Sequence, residues 1–291
     1  MKLQPECITC IIAQVQNVTA MLGLSERQRQ AAMDDTNTYL AGANYEGCTP
    51  ESMGELWQIL LRHAGEADPY AQIKSRCNRE AAKMLPATRE KIARAKEPFI
   101  VALKYAIAGN LIDYGLEHPV SIEEQNAQID AIANTAFSID ESESLYQALA
   151  EADTLLYLGD NAGEIVFDKL LIETIRRVFP RLDVSFAVKG SPVLNDVTRL
   201  DADEVGMGEI ARVIDNGDAS PGTVLPRTSA PFRRAFTAAD VVLSKGQGNF
   251  ESLDGTDREN LFFLFTAKCD TVCTEVGVPK FSIVCMKNRI L

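Results

Sequence analysis

Histidine is nearly absent from this chain. His63 and His118 are the only two in 291 residues, and they lie too far apart to suggest a catalytic histidine. Positive charge is also short: 29 Lys and Arg against 41 Asp and Glu leave a formal charge of −12. A nucleic-acid backbone or an anionic membrane needs a basic surface, so neither is expected as a partner. A small phosphorylated metabolite is not excluded, because a metal ion and one or two lysines can meet its charge locally. No apolar run approaches the length of a spanning helix, and MKLQPECITC lacks the long uncharged core of a signal peptide. A cytoplasmic location is therefore expected. Walker spacing and G-x-G-x-x-G are both missing, as are internal repeats and low-complexity segments. Nothing in the sequence sets an oligomeric state.

Seven cysteines is an odd count in a chain too large to need disulfide stapling, which favours reduced thiols or a metal site. Cys7 and Cys10 form a C-x-x-C with no second copy, so alone they are half a zinc or iron–sulfur site. Cys77 is the candidate to complete a second metal site with them. The alternative is that all three are structural thiols. No strand signal precedes the C-x-x-C, which argues against a thioredoxin-like role.

What is present describes an ordinary soluble protein. Hydrophobic residues make up 46% and charged residues 24%, and the length suffices for two domains. Up to about Glu151 the signals are helical, with no convincing strand. Ile11, Ile12, Val15 and Val18 recur at helical spacing until Gly23. Ser25 can cap the next helix, and Thr49–Pro50 and Asp68–Pro69 each read as a cap followed by proline at the first helical position. A helix from Pro98 to Ala108 stops at Gly109. Ser121 with Glu124, and Asp140 with Glu143, read as capping boxes. The expected domains are thus an all-helical 1–151 and an α/β 152–291.

After Glu151 short apolar runs alternate with helical segments. The expected strands are Thr154–Leu158, Asp183–Val188, Ile210–Ile214, Val241–Ser244, Leu261–Thr266 and Phe281–Cys285. Between them lie helical patterns at Glu164–Val178, Ala230–Ala238 and Thr271–Val276. The alternation predicts a Rossmann-like, mostly parallel sheet in a three-layer α/β fold. Right-handed crossovers place the strand C-terminal ends on one edge, so the polar clusters that follow the strands should meet in one crevice.

Four such clusters occur. Asp160–Asn161, with Glu164 one helical step on, follows the first strand, where a helix N-terminus favours an anion. The bland alternative is a simple helix cap. Lys189 to Thr198 contains Asn195 and Asp196. Asp215-Asn216-Gly217-Asp218 is an acidic turn of common composition. Lys245-Gly246-Gln247-Gly248-Asn249 sets a compact positive charge beside two glycines that let backbone approach a ligand. A site rich in Asp and Asn but nearly free of His suits Mg²⁺, Mn²⁺ or a similar cation better than zinc. In the helical half, Lys74 and Asn78 lie at i and i+4, and Asn110 and Asp113 at i and i+3, where they can line the other wall of a cleft or simply face solvent.

Taken in order, DPY…K…N, GN-x-x-D, LGDNAGE, KG-x-P-x-x-ND-x-T, DNG and SKGQGNFE resemble the damage-control phosphatase family, long called domain of unknown function 89. The resemblance spans essentially the whole chain and is nearest to the compact prokaryotic branch with an early C-x-x-C. It implies a helical domain packed on a Rossmann-like domain, with a divalent cation (Mg²⁺, Mn²⁺, Co²⁺ or Ni²⁺) in the cleft between them. Carried over, Asp160, Asn161 and Asp196 bind the metal, and Lys245 contacts the substrate phosphate with Gly246 and Asn249 beside it. Asn110 and Asp113 line the cleft as catalytic residues, and Lys189, Lys74 and Asn78 are candidates for substrate contact. The longer eukaryotic members carry substrate-pocket segments that this chain is too short to include, so their substrates do not carry over.

The implied activity is metal-dependent hydrolysis of small phosphorylated metabolites, such as sugar phosphates or damaged phosphometabolites. Two other readings fit parts of the sequence. A strand–Gly–Asp junction also occurs in S-adenosylmethionine- or nucleotide-dependent transferases, and Cys7 with Cys10 could mark a non-enzymatic metal or cluster scaffold.

Overall fold

A computed structural model describes residues 1–65, 68–110 and 121–290. The first half forms α1 (Pro5–Met21), α2 (Glu26–Ala41), α3 (Thr49–Ala64), α4 (Ala71–Arg94), α5 (Pro98–Ala108) and α6 (Ile122–Ala133). Ser25 and Ser121 close true capping boxes with Gln28 and Glu124, reciprocally satisfying backbone N–H groups that the first turn leaves free.

The second half runs β1 (Ile139–Asp140), α7 (Ser142–Glu151), β2 (Thr154–Leu158), α8 (Glu164–Val178), β3 (Asp183–Val188), α9 (Arg199–Glu204) and β4 (Arg212–Asp215). It continues through α10 (Ala230–Ala238), β5 (Val241–Lys245), α11 (Gln247–Leu253), β6 (Leu261–Thr266), α12 (Asp270–Val276) and β7 (Ile283–Lys287). Among the described residues seven strands form one sheet, ordered β1-β7-β6-β5-β2-β3-β4, in which β6–β7 is the antiparallel pair.

Side chains alternate between the two faces of this sheet even where every residue is apolar. In β6, Phe262 and Leu264 join Leu155, Tyr157 and Phe186 in a core shared with α4, α5 and α8. Phe263 and Phe265 face the opposite way, onto Phe232 and Phe236 of α10 and Phe250 of α11. Helices on both faces of a mostly parallel sheet give the three layers expected.

Several local expectations change. β1 supplies a short strand before residue 151, pairing in parallel with β7 through Ile139 and Val284. Asp140 closes no capping box; it accepts hydrogen bonds from the Ser142 N–H and hydroxyl, and Glu141 holds the N-cap position. Cys48 rather than Thr49 is the N-cap of α3, and Tyr70 precedes α4, with its N–H donating to Asp68 at 3.1 Å. A 3-10 turn at Met207–Glu209 delays β4 to Arg212. β7 begins at Ile283 because Phe281 takes a left-handed φ of 64° that no strand accepts.

Strand order places the functional loops. From β2 the chain winds outward through β3 and β4, whereas β5 and β6 lie on the other side of β2. The C-terminal ends of β2 and β5 therefore flank the point where strand order reverses, where open α/β sheets bind ligands.

Candidate active site

The loop after β2 starts under tight packing. A Cβ on Gly159 would meet the Phe186 ring at 2.6 Å, which fixes where the next two residues emerge. Asn161 pairs with Asp196 in an isolated antiparallel bridge, and the Val197 N–H donates to the Asp160 carbonyl at 2.9 Å. Backbone pairing therefore brings Asp160, Asn161 and Asp196 together from loops 35 residues apart in the chain. The Asp196 loop is held in turn by α3: the Trp57 indole donates to the Pro192 carbonyl at 2.8 Å, and Leu194, at φ 47°, packs on both N-terminal apolar clusters.

Asp160 is buried, and its Oδ2 accepts from the Asn161 amide at 2.7 Å and the Asn110 amide at 2.8 Å. Burial, then the charges of Glu164 and Asp196, hold its carboxyl well above the usual range, against Lys189 and Lys268. Burial likewise raises Asp196 to about 6 despite Lys189 beside it. At 3.4 Å the Lys189–Asp196 contact is a loose ion pair, and Asp196 Oδ2 has no hydrogen-bond partner among the described residues. The loop after β5 closes the other side. Gly246, at φ 81°, runs so close that an added Cβ would fall 1.9 Å from Asp160 Oδ2. Only glycine fits there.

These oxygens suit a hard divalent cation: two buried carboxylates hold pKa values raised chiefly by burial, which nearby lysines do not offset, one has an unused oxygen, and an amide sits beside them. Among the described residues no group of three His, Cys, Asp or Glu side chains is placed to hold a metal. The second metal site expected at Cys7, Cys10 and Cys77 is not assembled. Cys77 is buried in the main core, whereas Cys7 packs at the N-terminal cluster beside α3.

The lysines depart most from expectation. Lys245 does not face the crevice. It is fully buried, and its ammonium donates to Glu164 at 2.6 Å, Asp168 at 2.6 Å and the Ala106 carbonyl at 2.8 Å. Burial alone would lower its pKa, but the two carboxylates outweigh that and keep it charged. With its three N–H groups filled it offers none to a phosphate. Lys189 is buried between the Gly222 carbonyl, at 2.6 Å, and Asp196. Lys74 bonds Asp68 and Asp201, both at 3.0 Å, while the Asn78 amide donates to Glu204 and its carbonyl accepts from the Gly163 N–H at 2.7 Å. Lys74 and Asn78, both buried, thus brace α4 against the α8 and α9 termini. Asn249 spans the loops internally, donating to the Lys245 carbonyl at 2.7 Å and accepting from the Thr223 hydroxyl. Asn216 ties the third cluster to the second by accepting from the Gly190 N–H at 3.0 Å. Asp113 and His118 lie outside the described residues.

Lys268 is the residue sequence reasoning missed. Its ammonium donates to the Asn110 side-chain oxygen at 2.6 Å and remains half-buried, close enough to Asp160 to oppose the rise in its pKa. The available signal was positional: Lys268 follows the mostly apolar β6 by two residues, at the same sheet edge as the other clusters. A separate groove of about 220 Å³ between α4, α8 and α9 contains Asn78 but neither Asp160 nor Asp196. Its basic side chains already face acids, Arg89 with Glu173, Arg79 with Glu204 and Lys169 with Glu209.

Residues 3–284 match the model of the damage-control phosphatase ARMT1-like domain. The damage-control phosphatase PH1575 of Pyrococcus horikoshii is 35% identical over 290 residues, covering 99% of each chain. A damage-control phosphatase of Archaeoglobus fulgidus is 30% identical over 282 residues, covering 96% of each. The crystal structure of the P. horikoshii protein, described as a DUF89 family member, superposes with a TM-score of 0.91, covering 99% of this chain and 100% of that one at 34% identity.

Proposed function

The chain belongs to the damage-control phosphatase ARMT1-like family, and from that premise we propose that it is a divalent-cation-dependent phosphatase of small phosphorylated metabolites. The observation that carries the cation is the pair Asp160 and Asp196, buried together with raised pKa values and too little positive charge. A cation there would polarise the phosphoryl oxygens and orient the attacking group.

In this reading Asp160, Asn161 and Asp196 supply the oxygen donors. Lys268 moves its ammonium from the Asn110 oxygen to the substrate phosphoryl group, taking the role expected of Lys245. Gly246 admits backbone close to Asp160, so the reacting group is held at the mouth of β2 and β5. Asp160 is engaged by two amide donors on one oxygen, which suits a ligand more than a nucleophile, and water is the proposed attacking group. An aspartyl-phosphate trapped by rapid quench would overturn that choice.

Metal-stripped protein is mixed with an aryl phosphate, and Mg²⁺, Mn²⁺, Co²⁺ or Ni²⁺ is added back. Released phosphate from wild type, and none from Lys268→Ala at the same substrate concentration, is the expected result. Hydrolysis by stripped protein in excess chelator would contradict the cation, and an unaffected Lys268→Ala would contradict the phosphate contact.

A further inference from the structure

The Lys245 cluster is a poor ion pair in one respect. One ammonium faces two carboxylates, and Glu164 Oε2 and Asp168 Oδ2 are both buried without a hydrogen-bond partner among the described residues. Tyr157 donates its hydroxyl to Asp168 Oδ1, the oxygen that Lys245 already holds, at 2.6 Å. Buried ionic groups of this kind contribute little net stability, and apolar replacements often serve the fold as well. Their geometry points to another use.

The third partner of Lys245 is the Ala106 carbonyl, in the last turn of α5. The α-helical donor to that carbonyl would be the Asn110 N–H, which instead turns to the Ile107 carbonyl at 3.2 Å. Lys245 therefore takes a carbonyl freed by the helix ending where it does. That end also lies hard against α8, since a Cβ on Gly109 would meet the Phe167 ring at 2.7 Å and Glu164 Cα at 3.3 Å. The next residue, Asn110, donates its side-chain amide to Asp160. Lys245 thus grips α5 four residues before the side chain that grips Asp160, while Glu164 and Asp168 anchor the ammonium to α8.

We propose that Lys245, held by Glu164 and Asp168, is a positioning residue that seats the end of α5 so that the Asn110 amide orients Asp160. This rests on the phosphatase reading above. The test is a double-mutant cycle of Lys245→Met and Asn110→Ala, with kcat on an aryl phosphate and calorimetric titration of inorganic phosphate, both in Mn²⁺. Each single variant should lose about tenfold or more in kcat, and the double variant should be within about threefold of Asn110→Ala alone. Phosphate affinity of Lys245→Met should stay within about threefold of wild type, because no contact with phosphate is lost. Losses that multiply in the double variant, or phosphate affinity weakened by about tenfold in Lys245→Met, would overturn the proposal. If Lys245→Met does not fold, Lys245→Met/Glu164→Gln/Asp168→Asn leaves no buried charge unpaired and enters the same cycle. If wild type shows no phosphatase activity, the functional reading fails by itself. The positioning claim is then judged by the NMR resonances of the Asn110 side-chain amide, which shift in Lys245→Met if it holds and stay in place if it does not.

Discussion

Two buried charge clusters sit at the ends of adjacent strands, and they are finished differently. At the end of β5, Lys245 has a partner for every N–H and keeps its charge in full burial. After β2 and β3, Asp160 and Asp196 have hydrogen bonds or loose ion pairs that leave both carboxyls hard to ionise. Both are buried; the difference is that the Lys245 ammonium sits at 2.6 Å from each of its carboxylates, whereas the nearest ammonium to Asp196, that of Lys189, stays at 3.4 Å and, among the described residues, Asp160 is held only by amides. An ammonium saturated in this way positions backbone, whereas buried carboxylates without a close cation are prepared for something that brings positive charge.

Removing the deficient cluster should have the largest effect on chemistry. Asp160→Ala should lower kcat/KM by roughly a thousandfold, since the cation's contribution is several kcal/mol. The same variant should melt, metal-free, no lower than wild type, because it deletes a carboxylate whose ionisation the fold opposes. Calorimetry beside kinetics checks both halves. Breaking the saturated cluster should act the other way round: Lys245→Met should destabilise by about 3–5 kcal/mol, measured by urea unfolding, through the two carboxylates it abandons.

The brace between the halves comes next. Asn78→Ala loses bonds to Gly163 and Glu204 and should cost about 1–3 kcal/mol in unfolding free energy. The pH dependence sharpens the comparison further. Asp168 is raised to about 7, chiefly by burial and against the pull of Lys245, from an unfolded value near its ordinary range. Its protonated form favours the fold, so this group's contribution is full below the unfolded pKa and is lost as pH rises through about 7. Metal-free protein should therefore show a stability that falls between acid and neutral pH, with Asp168→Asn flattening that slope. The smallest effect is expected at the cysteines: Cys7→Ser/Cys10→Ser should change phosphatase activity by less than about twofold, because no second metal site is assembled there.

Much of the fold was readable because the central strands are short, mostly apolar runs. Thr154–Leu158, Asp183–Val188 and Leu261–Thr266 form strands with the bounds their sequence suggests, as do helices Glu164–Val178 and Ala230–Ala238. β1 escaped because two residues carry no period. Phe281 misled as a strand start because its backbone angle is set by the turn, not by its side chain. At the site, Asp160, Asn161 and Asp196 were legible as polar residues at strand ends, which topology alone brings to one edge. The lysines were not. Whether Lys245 is free depends on Glu164 and Asp168 pointing inward from α8, one turn apart, and on a carbonyl from α5. A glycine-rich motif shows none of that, and Lys268 has no motif at all.

If a divalent cation supplies the positive charge that the site at β2 and β5 lacks, the metal-free protein should bind one there. Titrating Mn²⁺ into metal-free protein, followed by electron paramagnetic resonance, tests it without reference to any substrate. The account predicts binding at one site in wild type that Asp160→Ala and Asp196→Ala each abolish and Cys7→Ser/Cys10→Ser leaves intact. Undiminished Mn²⁺ binding in both aspartate variants, with the fold intact, would contradict it.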